Sequence, residues 1–341
     1  MDAVQEEHMR EAPLHGAASN GHARCVRLLL EHGAAVDARN AVGATPLCLA
    51  VEGGHTTVAK LLLEAGANVH LRSRRGATLL STAAQRGVAP LVQLLIAHGA
   101  RVDERNVSGW LALHVAAFKG HAPAVAKLLE CTPPALRAAT VEARTDEGAT
   151  PLYVAAQEGH VHVIHELVWR GADVNACSAG GASPALVAAE HGHARALSLL
   201  LDAGADANSA QLASLLHAAV AGRHANAVSV LLQHGAQPDA RVKAGGATPL
   251  HMGAYHGDER TVSLLLDAGA QLAAADAYGN TALHVAARRG FEPVVRALLA
   301  RGADTSARTR KQRAHDRLKA TASGDMQRRV AVCVRCRQLR A

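Results

Sequence analysis

Apolar residues recur along this chain in short bursts at three-and-four spacing and never as one long run. Val26, Leu29 and Leu30 form one stripe, and Val58, Leu62 and Leu63 form the next. Such spacing predicts short helices with a single buried face. An Ala-rich segment precedes each stripe, opened by Thr45-Pro46-Leu47, Thr150-Pro151-Leu152, Thr248-Pro249-Leu250-His251 or Thr281-Ala282-Leu283-His284. Threonine is a good N-cap, and proline at the next position sacrifices only an amide that has no intrahelical acceptor. A first helix therefore starts at each of these sites. The glycine of Gly21-His22, Gly54-His55, Gly120-His121, Gly159-His160 and Gly192-His193 can take the left-handed conformation that ends it. The predicted unit is helix, turn, helix, finger.

A second glycine series measures the unit. Gly-Ala recurs at Gly33, Gly66 and Gly99, then at Gly171, Gly204, Gly235, Gly269 and Gly302, at intervals of 33, 33, 72, 33, 31, 34 and 33. The long interval holds two units of 33 and 39, with Glu130-Cys131-Thr132-Pro133-Pro134 where the missing glycine should stand. Nine repeats result. No single unit can bury both of its helices, so neighbours must stack, and stability becomes roughly a sum of units and interfaces.

Thr-Pro-Leu-His, Gly-His and Gly171-Ala172-Asp173-Val174-Asn175 at this period strongly resemble the ankyrin repeat, from about Ala12 to Ala307. The resemblance implies an all-α ankyrin-repeat solenoid of stacked antiparallel helix pairs with projecting β-hairpin-like fingers, curved around a concave groove. The expected organisation is a lead-in at 1–11, an array at 12–307 with an insertion near 131–145, and a basic degenerate capping repeat or tail at 308–341. Three repeats depart from the pattern. Repeat three reads Thr78-Leu79-Leu80-Ser81, repeat six reads Ser183-Pro184-Ala185-Leu186, and repeat seven reads Ser214-Leu215-Leu216-His217 with a shortened finger and Arg223 in place of the turn glycine. A local irregularity is expected at repeat seven. The text around Arg313 to Leu318, Gly324-Asp325 and Val330 to Val334 reads as a decayed tenth repeat that caps the last apolar face.

Composition narrows the class. Of 341 residues, 49% are apolar, 19% charged and 2% aromatic, which excludes a disordered chain and a single large aromatic core. Apolar runs are too often broken by charge for a membrane span. Residues 1–10 carry Asp2, Glu6 and Glu7 and no apolar run of signal-peptide length, so an intracellular protein, cytoplasmic or nuclear, is expected. Six scattered cysteines fit reduced thiols rather than a disulfide framework.

Twenty-one histidines suggest metal or acid-base chemistry, but alignment assigns most of them to the scaffold. His15, His114, His217, His251 and His284 fill the Thr-Pro-Leu-His slot. His22, His55, His121, His160, His193 and His224 follow the turn, and His32, His98 and His234 precede the finger glycine. In ankyrin repeats such imidazoles tie neighbouring loops together, which is the role the resemblance implies here. Cys48 takes a histidine slot as a packed thiol, and Tyr153 and Phe291 fill scaffold slots as core residues. His162 and His165, three apart, have no third ligand fixed beside them and read as exposed helix surface. Cys333-Val334-Arg335-Cys336 supplies half of a zinc site, too little for a structural tetrahedron. It distantly resembles the opening of the zinc fingers that follow ankyrin repeats in some proteins. Phosphate-cradling glycine loops, nucleophile elbows and placed carboxylate pairs are missing from the sequence, so neither an enzyme, a cofactor nor a small-molecule substrate is expected.

Binding in such an array is expected on the finger tips and the exposed positions of the first helices. Four of only seven aromatic residues, Trp110, Phe118, Tyr255 and Tyr278, fall on that strip. Truncating a central interface aromatic costs roughly 2 kcal/mol or more. The expected partner contacts are Trp110 with Phe118 and Lys119, Tyr255 with Tyr278, Arg288 and Arg289, and Gln157 and Glu158 between them in sequence. Trp110 could instead fold over its own finger and pack internally. Trp169, near the end of a second helix, should lie off this strip.

Charge is uneven. Residues 288–341 carry a net charge of +11 and the rest of the chain −4. The densest basic run, Arg308, Arg310, Lys311 and Arg313, reads as an import signal, a contact for nucleic acid or an anionic surface, or the solvated face of the capping repeat. The first expectation is a non-catalytic adaptor or scaffold holding a protein partner. The alternatives are a ubiquitin-ligase substrate receptor, although residues 311–341 lack a leucine-rich recruiting box, and a nucleic-acid-associated regulator using the tail.

Overall fold

A computed structural model of the protein describes residues 12–73, 76–241, 246–309 and 312. Arg74, Arg75, Arg310, Lys311, Arg313, the Cys333–Cys336 pair and the expected tenth repeat lie outside these residues. The chain divides into two compact units, Met1–Asp206 and Ala207–Ala341.

Six helix pairs form the first unit: α1 (Pro13–Ser19) with α2 (Ala23–Glu31), α3 (Pro46–Gly53) with α4 (Thr56–Glu64), α5 (Leu79–Arg86) with α6 (Ala89–Ala97), α7 (Ala112–Phe118) with α8 (Ala122–Cys131), α10 (Pro151–Gln157) with α11 (Val161–Trp169), and α12 (Pro184–Glu190) with α13 (Ala194–Asp202). The insertion after α8 folds as an extra helix, α9 (Pro134–Val141), whose first turn accommodates Pro134. Arg137 packs back and donates to the carbonyls of Leu129 and Thr132 at 3.1 and 3.3 Å, satisfying the end of α8 where the usual glycine is absent. First helices pack on first helices and second on second, from α1 against α3 through α10 against α12. Leu47, Ala50, Val51, Val58, Ala59 and Leu62 show how completely this buries the predicted stripes, each being at most 1% exposed. A buried leucine contributes about 2 kcal/mol.

Start and stop signals act as the sequence predicts. The hydroxyls of Thr45, Thr78 and Thr150 accept from the amides of Cys48, Ser81 and Tyr153. Gly54 and Gly87 end their helices in the left-handed region, with φ of +74° and +72°. Fingers close as tight hairpin-like loops: Asn106 N–H donates to the Trp110 carbonyl, and Gly109 N–H donates back to the Asn106 carbonyl.

The second unit contains α14 (Ser209–Ala221) with α15 (Ala225–Gln233), α16 (Pro249–His256) with α17 (Glu259–Asp267), and α18 (Ala282–Arg289) with α19 (Glu292–Ala300), stacked in the same way. Repeat seven is more than irregular here. Asn208 caps a helix of 13 residues that begins five positions before Ser214, so helix replaces the finger. Ser214 is then interior, and no N-cap amide is left for His217 Nδ1. The ring turns to the Ala213 carbonyl at 2.7 Å, and its buried Nε2 has no hydrogen-bond partner. Arg223 adopts φ +61°, the turn conformation that glycine supplies in the other repeats.

Candidate functional site

Two constellations stand at the ends of first helices, one in each unit. In the first, Trp110 closes its finger and precedes α7, while Phe118 ends that helix. Positions 110, 114 and 118 share one face at four-residue steps. The Trp110 and Phe118 rings meet edge to face, 5.7 Å apart at 80°, and Trp110 also lies 6.0 Å from the His114 ring. Both aromatics are half-buried, and exposed Lys119 places Nζ 5.0 Å from the centre of the Phe118 ring. Trp110 thus does pack on its own repeat, yet keeps part of its surface open. The pair is anchored from behind: His114 Nε2 donates to the carbonyls of Ala143 and Ala149, and His160 Nε2 donates to that of Phe118 at 3.0 Å. Burial, only partly offset by those carbonyls, pushes the His114 pKa down to about 4, so the ring is neutral. Gln157 and Glu158, one repeat on, are half-buried, and the Gln157 carbonyl accepts from His193 Nε2 at 2.9 Å.

In the second unit, Tyr255 is 50% exposed near the end of α16 and meets His256 edge to face at 5.3 Å. The Arg289 guanidinium lies 4.4 Å above the Tyr255 ring and 5.6 Å from that of Phe291. Arg288 instead donates through Nη2 to Asn280 Oδ1 at 3.0 Å, and Tyr278 stands 71% exposed at its finger tip. Asp276 organises that finger. Partial burial raises its pKa, but hydrogen bonds from the Asn280 side chain and the Asn280 and Tyr278 amides outweigh this and hold the carboxyl below its ordinary range. The structure therefore joins Tyr255 to Arg289, and connects Arg288 to the finger that carries Tyr278.

Phe291 and Tyr153 are half-buried rather than core. Phe291 packs against the Gly257 turn, where its ring lies beneath exposed Arg289. Cys48 is buried and accepts from the Thr45 hydroxyl at 3.3 Å, as a packed thiol would. His162 and His165 are exposed, as is Trp169, which is 68% accessible on a second helix with Arg170 stacked on it at 4.5 Å. Arg308 is exposed as well. Among the described residues, no group of three His, Cys, Asp or Glu side chains could hold a metal ion, and no helix is long and apolar enough to cross a membrane.

Four turn histidines tie neighbouring loops, whereas His32 and His98 turn to the Leu28 and Leu94 carbonyls of their own helices at 2.8 and 3.0 Å. Nε2 of His55, His121, His160 and His193 donates to the carbonyl of Ser19, Gln85, Phe118 and Gln157 in the preceding repeat, at 2.9 to 3.0 Å. A second ladder is unanticipated. Arg105 Nη1 donates both to the carbonyl of its finger's Gly109 and to that of Arg144 in the next repeat, and Arg144 does the same to Gly148 and Cys177. Arg241 repeats the arrangement with Gly246 and Ala275. Its sequence signal is arginine at 39, 72 and 105, one period apart, and again at 144 after the insertion.

The family described as Ankyrin repeats (3 copies) matches the chain in seven overlapping stretches, at residues 2–73, 65–138, 80–178, 133–211, 152–242, 188–276 and 216–309. Comparison with curated proteins yields no match. A continuous run of matches over stacked helix pairs with histidine-tied turns leaves one conclusion: the chain belongs to the ankyrin-repeat family, whose arrays generally serve as protein–protein interaction modules and are typically non-catalytic.

Proposed function

We propose that the array at 12–307 acts as a non-catalytic intracellular adaptor or scaffold that holds a protein partner on its fingers and the ends of its first helices. The observation that carries this reading is the Trp110–Phe118 pair, a half-open aromatic contact on a rigid, histidine-anchored support. Such anchors lose little entropy on binding and dominate interface energetics. Lys119, Gln157 and Glu158 form the adjoining polar rim, and Tyr255, Tyr278, Arg288 and Arg289 form the contact of the second unit. Affinity for a co-purifying partner, measured with the full chain and with Trp110→Ala and Phe118→Ala, tests the assignment. A drop of about ten-fold or more is expected, and unchanged affinity removes it.

A second reading rests on the basic run of residues 308–313 in a segment of net charge +11. It takes the tail, with Arg308, Arg310, Lys311 and Arg313, as a contact for nucleic acid or an anionic surface. A gel shift over a salt series, comparing the full chain with one ending at Ala307, tests it. Loss of a salt-sensitive shift on truncation supports this reading, and identical behaviour refutes it.

A further inference from the structure

We propose that the Arg288–Arg289 edge of the second unit recognises an acidic, extended segment of a protein partner, a deepening that rests on the adaptor reading above. Elsewhere in this unit two exposed arginines are neutralised by carboxylates: Arg296 pairs with Glu292, and Arg301 with Asp267 at 2.7 Å. Arg288 and Arg289 have no such carboxylate among the described residues. Asp276, in the finger that Arg288 touches, is spent on that finger, where it accepts from the Asn280 side chain at 2.9 and 3.2 Å and from the backbone amides of Tyr278 and Asn280 at 2.8 Å. Because the Asn280 amide group faces Asp276, its carbonyl oxygen is left to orient Arg288. One neutral acceptor positions that cation without cancelling its charge.

Arg289 is held differently. Its guanidinium carbon lies 4.4 Å from the centre of the Tyr255 ring, a cation–π contact that restrains the side chain, and its planar fork of N–H groups suits a carboxylate held through two parallel hydrogen bonds. Both arginines are exposed, and the accessible Tyr255 and Tyr278 provide apolar contact beside them. Two preset, unneutralised guanidiniums next to exposed rings fit carboxylates presented along a chain. Nucleic acid fits less well: the Tyr255 face that a base would stack on already carries Arg289, and two cations neutralise too few phosphates for tight binding.

Selection from a random dodecapeptide phage library on the immobilised full chain tests this. The expected result is peptides enriched in Asp and Glu over the input library, with the excess abolished, and Lys and Arg favoured, when selection is repeated on the Arg288→Glu/Arg289→Glu chain. Affinity of the selected peptides should fall about ten-fold or more in that variant, and also fall in Arg289→Lys, which keeps the charge but loses the planar guanidinium fork. Circular dichroism and thermal unfolding of each variant confirm that the fold is retained. Acidic enrichment that survives the charge reversal, or binders with no acidic excess, would overturn the proposal while leaving the adaptor reading intact. A library that yields no binder to the wild-type chain counts against both. An oligothymidine that binds this edge more tightly than the selected peptides at physiological salt would also overturn it, in favour of nucleic acid.

Discussion

The Arg105 guanidinium stands 2.7 Å from the carbonyl oxygen of Arg144, its counterpart one repeat on, while the same nitrogen holds the Gly109 carbonyl of its own finger. Each such arginine clamps two successive fingers, and hydrogen bonds from a charged donor contribute about 1.5 to 3 kcal/mol when partly shielded. For exposed guanidiniums the lower end applies. Arg144→Ala should therefore lower stability by about 1.5 kcal/mol and speed amide exchange in the fingers at 143–149 and 177–182, as hydrogen-exchange mass spectrometry would show. The ladder also lapses at Ala275, which sits where Arg241 and Arg308 sit in the neighbouring repeats. Ala275→Arg can reach the Gly279 carbonyl and should raise the melting temperature, whereas a decrease would deny that the clamp stabilises.

His114 makes folding sensitive to acid. Its Nδ1 accepts from the Leu111 amide at 3.3 Å while Nε2 donates across the finger, a pattern only the neutral ring can satisfy. Unfolded histidine titrates near 6.5, and the folded ring near 4. Above the unfolded value both states are neutral and this residue adds no pH dependence. As pH falls from 6.5 towards 4, the unfolded chain takes up a proton that the folded chain refuses, and stability drops by about 3 kcal/mol in total. Chemical denaturation at pH 7 and pH 4.5 should show a smaller acid loss for His114→Gln than for the wild type. An equal loss would place the acid sensitivity elsewhere.

Sequence and structure agree where the chemistry is repeated. Thr45, Thr150, Gly54 and the Gly33 series each have a backbone role that few other residue types can fill, so spacing alone reveals them. The arginine ladder escapes because an arginine in a loop reads as a solvated charge, although its bonds run to backbone carbonyls that no pattern of side chains displays. Repeat seven is misread for the opposite reason. Aligning Ser214 with Thr45 puts a helix start where the chain has none, while the true signal is Asn208 ahead of Ser209–Ala221, a stretch free of glycine and proline. The aromatic strip is legible as positions, but pairing is not. That Arg289, rather than Arg288, reaches Tyr255 depends on rotamers and on Asn280 claiming the other guanidinium.

The edge-to-face contact of Trp110 with Phe118 should be measurable in its own right. Aromatic pairs of this geometry contribute about 0.5 to 1.5 kcal/mol beyond their buried area. In a double-mutant cycle with Trp110→Ala and Phe118→Ala, unfolding free energies should show coupling of that size. Both rings are half-exposed, so each single variant remains folded, and partner binding should fall further than stability does. Strict additivity would mean that the rings are supported independently.

The turns provide the last test, because they set the same left-handed turn against different residues. Gly120 has φ +75°, and a Cβ built there would lie 2.6 Å from His160 Nδ1. Left-handed backbone costs a non-glycine residue about 1 to 2 kcal/mol, and the methyl group also displaces the imidazole that holds the Phe118 carbonyl. Gly120→Ala should thus cost about 2 kcal/mol or more and loosen the Trp110–Phe118 anchor. At the same point of repeat seven, Arg223 already bears the left-handed penalty, with φ +61°. Arg223→Gly removes that strain but adds freedom to the unfolded chain, leaving a net gain of about 0.5 kcal/mol. Thermal denaturation of the two variants should move in opposite directions, down for Gly120→Ala and up for Arg223→Gly. A loss of stability in Arg223→Gly would mean that the arginine side chain, which is exposed, makes a compensating contact worth more than the strain it carries.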